Sequence, residues 1–294
     1  MVDLMRFKIF YFTFSLALIL PGLYFLVTSG LKLGIDFTGG TLFEYQLERT
    51  ATAEEVKVAL SNVIEVGSVT STQNNTFIIK TKHLEQDQIK KIQERLAQDF
   101  GNLESRRVEI VGPVIGEELT RKAIIALLFS FIAIILYIAF SFRKVPKPAS
   151  SWKFGVTAII ALVHDILIVV GVFAIFGHFL KVEVDTLFVT ALLTIIGFSV
   201  HDTIVVFDRV RENLAKNIGR KFTEIVNISV VQTLGRSLNT SLTVVFVLTA
   251  LLLFGGESLR WFTVALLIGI ISGTYSSIFN ATALLTLWEE KLGH

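Results

Sequence analysis

The chain has 294 residues, of which 52% are hydrophobic and 18% are charged, and its mean hydropathy is +0.66. This balance excludes an ordinary soluble domain and is typical of a membrane protein. The formal net charge of +2 gives no reason to expect nucleic-acid binding, and the absence of cysteine excludes disulfides and thiolate metal sites.

Six apolar runs are predicted to cross a bilayer as helices, since each reaches about 27 to 40 Å at roughly 1.5 Å per residue. The runs are residues 9–29, 123–142, 154–176, 186–207, 237–254 and 261–288. The first run follows Arg6 and Lys8, but it is roughly twice as long as a signal-peptide core and lacks an Ala-x-Ala cleavage site. It is therefore predicted to be a retained transmembrane helix.

Residues 31–120 are more polar and are predicted to form a separate domain between the first and second spans. Four strands are expected at residues 41–47, 66–72, 76–81 and 106–111, with helices at 52–62 and 84–100. The order βαββαβ is typical of a ferredoxin-like α+β domain. The predicted division of the chain is thus residues 1–30 as the first transmembrane helix, 31–120 as the external domain, and 121–294 as a five-helix transmembrane bundle with cytoplasmic loops.

Residues 222–234 precede the fifth apolar run and are less apolar than the run itself. They are interpreted either as an interfacial helix that leads into the fifth span or as a solvated linker. In the first case, the fifth span begins some turns before residue 237.

Lysine and arginine in the short loops predict the orientation of the chain. The loops after the second and fourth spans are rich in these residues, which are Arg143, Lys144, Lys147, Lys153, Arg209, Arg211, Lys216, Arg220 and Lys221. The loops after the third and fifth spans offer only Lys181 and Arg260. Both termini are therefore predicted to be cytoplasmic, and the ferredoxin-like domain to lie outside.

The third and fourth spans each carry a His-Asp pair, in the similar segments ALVHDILIVV and FSVHDTIVVF. An acid in hydrocarbon costs at least about 2.5 kcal/mol on insertion scales, so it usually has a partner or a task. His164 and Asp165 are interpreted as an internal hydrogen-bonded pair that fixes helix packing, with a functional role as the alternative. Asp202 is predicted to lie on a proton pathway, whereas His201 is either a proton relay or a packing residue.

Arg236 offers a counter-charge at the depth of Asp202, counted along the fifth span. Asn239, Thr240 and Thr243 fall on the same side of that helix and predict an inward-facing polar stripe. The alternative is an interfacial arginine that snorkels to lipid headgroups. Burial disfavours a charged carboxyl group and a nearby guanidinium favours it, so movement between the two would switch proton binding.

The sixth span has a stripe of small residues at every fourth position: Ala265, Gly269, Gly273, Ser277 and Ala281. Such a stripe predicts close packing against a neighbouring helix, in this chain or in a partner. No phosphate-binding glycine loop, His-Glu-x-x-His motif or Gly-x-Ser-x-Gly motif is present, so no ATPase or hydrolase is indicated. An intramembrane aspartyl protease is disfavoured because neither Asp165 nor Asp202 follows Gly-x-Gly. No metal or cofactor is predicted, and the coupling ion is expected to be the proton.

Three segments resemble the SecF family of the bacterial Sec protein-export machinery. They are GIDFTGG, with Gly34, Asp36, Gly39 and Gly40, then SVHDTIVVFDRVREN at residues 199–213 and TLGRSLNTSLT at residues 233–243. The resemblance covers nearly the whole chain and implies an RND-superfamily fold. The single external domain is smaller than that of the sister family SecD, which argues against SecD.

The resemblance also implies a function and partners. Relatives of this type pair with SecD, associate with the SecYEG channel and use the proton-motive force to draw unfolded secretory polypeptides across the plasma membrane, or a thylakoid-type membrane. Asp202 and Arg236 match the family's proton-pathway aspartate and arginine, whereas His201 stands where many relatives have asparagine. An RND-like proton-coupled small-molecule exporter and a purely structural scaffold are the alternatives.

Overall fold

The computed structural model describes residues 3–146 and 150–292, and the chain divides into two compact units. One unit is Leu33–Ile125, and the other combines Met1–Lys32 with Ala126–His294. In chain order the elements are α1 (Lys8–Thr28), α2 (Ile35–Thr38), β1 (Gly40–Leu47), α3 (Ala53–Ser61), β2 (Val66–Ser71), β3 (Thr76–Thr81), α4 (Gln86–Phe100), β4 (Leu103–Val111), α5 (Pro113–Ser141), α6 (Ser151–Leu180), α7 (Thr186–Lys216), α8 (Phe222–Phe254), α9 (Arg260–Tyr275) and α10 (Ala281–Leu292).

The smaller unit has the predicted βαββαβ order and a four-stranded antiparallel sheet. Its strands run β2-β3-β1-β4 across the sheet, which is the ferredoxin-like arrangement expected from the sequence. One face of the sheet packs against α3 and α4. The buried side chains in this core include Phe43, Tyr45 and Phe77 of the sheet, Val56 and Leu60 of α3, and Ile92 and Leu96 of α4.

Local side-chain bonds fix the turn between β2 and β3 and the start of α3 in this unit. Asn74 and Asn75 adopt φ of 57° and 56° between β2 and β3, a conformation that asparagine tolerates better than most residues. The Nδ2 of Asn75 donates to the backbone oxygen of Leu47 at 2.7 Å and thereby ties the turn to the end of β1. Thr52 and Glu55 form a capping box at the start of α3, and the hydrogen bonds from Thr52 hold the pKa of the Glu55 carboxyl below its usual range.

The structure has six helical segments that are long and apolar enough to cross a membrane, among the residues described, and this confirms the predicted number of spans. The second span begins earlier than predicted, because α5 starts at Pro113. The fifth begins some turns before residue 237, as one of the two interpretations expected, because α8 starts at Phe222. The linker interpretation of residues 222–234 is therefore wrong. Ile225, Val226 and Val230 of this segment are buried in the same apolar cluster as the end of α7.

The sixth span is interrupted by one π-helical turn, Ser276–Asn280, which joins α9 to α10. Its small-residue stripe packs against α7 of the same chain. A Cβ added at Gly273 would lie 3.2 Å from the Cβ of Ser199, and the Oγ of Ser277 lies 2.7 Å from the Oγ1 of Thr203. The neighbouring helix predicted from the stripe is thus α7.

Candidate functional site

Asp202 is buried in the membrane unit, with a relative exposure of 2%. It lies on the buried side of α7, and the hydroxyls of Ser241 on α8 and Thr274 on α9 lie beside its carboxyl group. These two hydroxyls are 2.5 Å apart and hydrogen-bond each other. The Oδ2 atom of Asp202 has no hydrogen-bond partner among the residues the structure describes. A buried acceptor without a partner costs about 1–3 kcal/mol. The free lone pairs of this oxygen are a place where a proton can bind.

Arg236 is near enough to Asp202 for an electrostatic interaction, but no salt bridge joins them in the described chain. Its side chain is on the exposed side of α8, as are Asn239 and Thr243, while Thr240 is half-buried. The polar stripe therefore does not face the interior of this chain's own bundle, contrary to the expectation from the sequence. The residues that turn inward one position later are Ser237 and Ser241.

His201 is exposed on α7, although its neighbour Asp202 is buried. Successive residues of an α-helix are about 100° apart, so one member of a His-Asp pair can face the bundle while the other faces outward. His201 contributes an electrostatic interaction to Asp202. Its role as a relay or as a packing residue stays a prediction.

The second His-Asp pair lies entirely inside the bundle, and the predicted hydrogen bond within it is confirmed. Asp165 has a relative exposure of 0%, and its Oδ1 is 2.9 Å from the Nδ1 of His164. Three serine hydroxyls also donate to this carboxyl group. They belong to Ser199 at 2.5 Å, Ser276 at 2.8 Å and Ser272 at 3.3 Å.

The polar residues that surround these acids were not recognised from the sequence. Ser272, Ser276 and Asn280 stand at every fourth position of the sixth span, directly beside the small-residue stripe. That spacing was an available signal that one side of this helix faces polar groups. Ser241 likewise ends a series of hydroxyl residues at every fourth position of α8, after Ser229, Thr233 and Ser237. Ser15 of α1 carries no comparable signal, because a single serine in an apolar helix often bonds its own backbone.

The Gly34–Gly40 segment forms a tight turn at the start of the sheet in the smaller unit. Gly39 and Gly40 adopt φ of 73° and 157°, which favour glycine. A Cβ on Gly40 would lie 2.7 Å from the backbone oxygen of Thr81, and one on Gly39 would lie 3.1 Å from the Cα of Pro113. Asp36 lies in the single turn of α2 that precedes these glycines. The glycines therefore allow the close backbone approach that this turn requires.

Comparisons with known proteins agree with this architecture. The family model described as "Protein export membrane protein SecD/SecF, C-terminal" matches residues 90–291, and the model described as "SecD/SecF GG Motif" matches residues 24–51. The protein translocase subunit SecF of Thermobaculum terrenum is 47% identical over 99% of this chain and 95% of its own length. The SecF of Anaerolinea thermophila is 42% identical over 98% of this chain and 94% of its own length.

A solved structure extends the likeness to three dimensions. SecDF from Thermus thermophilus, a translocon-associated membrane protein, superposes with a TM-score of 0.87 at 34% identity. The match covers 98% of this chain and 39% of the SecDF chain, so this chain spans well under half of that protein. A structure of SecDF in a "Super-membrane-facing form" matches with a TM-score of 0.71 at 33% identity. On these matches, the chain is a multi-pass membrane protein that belongs to the SecD/SecF family and is most similar in extent to its SecF members.

Proposed function

We propose that this chain is a subunit of the Sec protein translocase that, with a SecD-like partner, uses the proton-motive force to promote polypeptide export. The observation that carries the proposal is the buried Oδ2 of Asp202, which has no hydrogen-bond partner in the described chain. A proton can bind there without breaking an existing hydrogen bond. Each charge that moves through 100 mV supplies about 2.3 kcal/mol, which is the energy available to a moving helix.

The position of Arg236 supports a partner subunit. A guanidinium and an asparagine on the outer side of a membrane helix are costly in lipid, so a neighbouring protein surface would cover them at lower cost. The SecDF chain from Thermus thermophilus contains more than this chain supplies, since only 39% of it is matched. We assign the missing neighbour to SecD, whose helices would lie against the stripe of Arg236, Asn239 and Thr243 on α8.

The same function places the chain in a bacterial plasma membrane. The lysine and arginine residues of the loops before α6 and α8 support cytoplasmic termini and an external position for the ferredoxin-like unit. That unit would act on the unfolded polypeptide as it leaves the SecYEG channel. The chain would itself be a transport subunit without enzymatic activity, and protons would be its coupling ion. The small-molecule exporter is not favoured, because relatives that match nearly the whole chain are protein translocase subunits.

Export in membrane vesicles with and without an uncoupler tests the proposal. Asp202→Asn is expected to remove the part of export that depends on the proton gradient, because a side-chain amide does not bind a proton at the pH of the assay. Asp208→Asn is the matched control, since Asp208 lies on the same helix but is exposed and paired with Arg211. Uncoupler-sensitive export at the level of the unmodified chain in the Asp202 variant would refute the mechanism.

Arg236 is tested by charge rather than by size. Arg236→Met is expected to abolish the gradient-dependent part of export, whereas Arg236→Lys keeps the charge and is expected to retain a fraction of it. Arg260→Met removes an exposed arginine at the other end of the fifth and sixth spans and serves as the control. If all three variants, at equal protein level, exported as much as the unmodified chain, Arg236 would have no part in the mechanism.

A further inference from the structure

A polar cluster around His164 lies where α1, α6 and the π-helical turn meet, and the proposed function does not use it. The cluster consists of Ser15, His164, Asp165, Asn280 and the three serines that bond Asp165. His164 is mostly buried, with 11% of its side chain exposed, and Asp165 is fully buried. A buried acid and base outside the proposed proton pathway require a separate explanation.

The surroundings of Asp165 fit an ionised carboxylate. Its Oδ2 accepts from Ser199 and Ser276, and its Oδ1 accepts from Ser272 and from His164. An ionised carboxylate is an acceptor only, so four donors use its lone pairs fully. A proton on either oxygen would displace one of these bonds. In the part of the chain that the structure describes, His164 is the one basic side chain within salt-bridge distance of this carboxylate.

The two ring nitrogens of His164 meet different groups. Nδ1 lies 2.9 Å from the Oδ1 of Asp165, and Nε2 lies 3.1 Å from the Nδ2 of Asn280. Because a carboxylate only accepts, Nδ1 carries a proton, and because an amide nitrogen only donates, Nε2 carries none. In the orientation that the structure gives to Asn280, His164 is therefore a neutral imidazole.

Asn280 provides for the other protonation state. Its relative exposure is 6%, and its Oδ1 has no hydrogen-bond partner among the described residues. In the structure, Nδ2 of Asn280 faces Nε2 of His164 and lies 2.7 Å from the Oγ of Ser15. Rotation of the amide by half a turn would put Oδ1 in the place of Nδ2. After rotation Oδ1 accepts from a protonated Nε2 and from the Ser15 hydroxyl. Each orientation of the amide thus fits one charge state of His164.

The π-helical turn aligns Asn280 with the residues that bond Asp165. Residues at every fourth position of an α-helix drift by about 40° around the axis at each step. A turn that is wider than an α-helical turn offsets this drift, so Ser272, Ser276 and Asn280 all reach α6. Such π-turns inside long helices occur frequently at functional sites.

The other titratable groups near His164 leave Asp165 as the dominant one. From α1, Tyr11 donates its hydroxyl to the backbone oxygen of Leu4, away from the cluster. From α9, the hydroxyl of Tyr275 donates to the backbone oxygen of Tyr11 and lies within reach of Ser15. From α7, the Ser199 hydroxyl contacts Asp165. Asp202, the buried acid of α7, faces α8 and α9 instead.

We propose that His164 is a second proton-binding residue of the membrane unit and that the side-chain amide of Asn280 rotates to accommodate either charge state. The proton comes from water and forms the Nε2–H bond, which then points to Oδ1 of Asn280. The imidazolium neutralises the Asp165 carboxylate, which has no other cationic side chain beside it among the residues described. This goes beyond the proposed function, because it does not require that Asp202 carry protons.

Solid-state NMR of the full chain in lipid bilayers tests the proposal directly. The other four histidines are replaced by glutamine, and ¹⁵N signals of His164 are followed between about pH 5 and pH 8. The expected result is a neutral ring with bare Nε2 at high pH and a doubly protonated ring at low pH. Contact between the Asn280 amide nitrogen and Nε2 is expected at high pH only. A ring that stays neutral throughout, or an amide contact that does not change, would overturn the proposal.

Two substitutions at the amide sharpen the test. Asn280→Asp offers an acceptor in both orientations and is expected to raise the ratio of protonated to neutral ring at a given pH by about tenfold, the effect of one charge-assisted hydrogen bond. Asn280→Leu offers none and is expected to lower it. Asn239→Leu, on the exposed side of α8, is the matched control and should leave the ratio unchanged. A ratio of protonated to neutral His164 that is the same in both Asn280 variants as in the unmodified chain would also overturn the proposal. If a variant does not fold, the pH series on the chain with Asn280 intact decides.

Discussion

The crossing of α1 and α6 allows a sharp test of close packing in the membrane unit. Gly22 and Gly171 face each other there, and a Cβ added at Gly22 would lie 2.7 Å from the Cα of Gly171. Carbon atoms in contact normally stay about 3.5–4.0 Å apart. Gly22→Ala therefore requires the two backbones to separate by roughly 1 Å at the crossing, which costs a large part of the attraction there. We expect a loss of about 1–3 kcal/mol in stability, as for other overpacked positions.

The matched control is Gly235→Ala on α8, where an added Cβ would meet nothing within 4 Å. Alanine is favoured over glycine inside a helix by up to about 1 kcal/mol, so this variant should be as stable as the unmodified chain or more stable. The assay is the midpoint of thermal unfolding of the purified full chain in detergent. Equal midpoints for Gly22→Ala and Gly235→Ala would show that the α1–α6 contact is looser than the structure indicates.

Three further predictions concern other parts of the chain. Lys153→Met leaves the Glu289 side chain, which is 8% exposed, without its ion-pair partner at 2.6 Å. It should lower the stability by about 3–5 kcal/mol in the same thermal assay, and adding Glu289→Gln should recover part of that loss. Ser199→Ala removes one donor from the buried carboxylate of α6 and should cost about 1.5–3 kcal/mol, the range for hydrogen bonds to charged groups. The lowered pKa of Glu55 means that its capping bonds stabilise α3 above the ordinary carboxyl pKa and that this contribution is lost as the pH falls through the lowered value. Thr52→Ala keeps the bond from the backbone N–H of residue 52 and removes the one from the hydroxyl, so it should return the Glu55 pKa part of the way to its usual range in a ¹³C NMR titration.

Each of these three has an outcome that contradicts it. Unfolding midpoints equal to that of the unmodified chain would show that the buried ion pair, or the serine bond, is replaced by water at no cost. A Glu55 titration that is the same with and without the threonine would show that the Thr52 hydroxyl does not bond the Glu55 carboxylate in solution.

The ferredoxin-like unit was predictable because its signals are local. The Thr52–Glu55 capping box and the Asn74–Asn75 turn each lie within a few residues of sequence, and the helical and strand periods between them differ clearly. Six apolar runs likewise predict six spans by length alone. The start of α5 was not predicted, and that of α8 was left open between two interpretations. The first turns of both helices are less apolar than the rest, so their helical conformation depends on packing or on continuity with the apolar part rather than on composition.

The side that each membrane helix turns to the bundle was harder to predict. Lipid tails and the protein interior are both apolar, so hydrophobicity alone does not mark the buried side of the helix. The stripe of Arg236, Asn239 and Thr243 was assigned inward by its polarity, yet it lies on the exposed side of α8. The smaller hydroxyls of Ser237 and Ser241 face inward instead. Polarity predicts that a surface is covered by protein, and whether that protein is the same chain or another is decided by the assembly.

The two His-Asp pairs show why a shared dipeptide does not imply a shared role. Asp165 has four hydrogen-bond donors, one of them from the histidine beside it, so a proton on its carboxyl group would displace a bond. Asp202 has the same neighbour in sequence, but its histidine is exposed and one of its buried oxygens has no partner. A proton at Asp202 would therefore displace no existing bond, whereas at the other pair the position that the proposal gives to the proton is the imidazole. The difference arises from the neighbouring helices. Asp165 receives hydroxyl donors from α7, α9 and the π-helical turn, whereas Asp202 has only the hydroxyls of Ser241 on α8 and Thr274 on α9 beside it among the described residues.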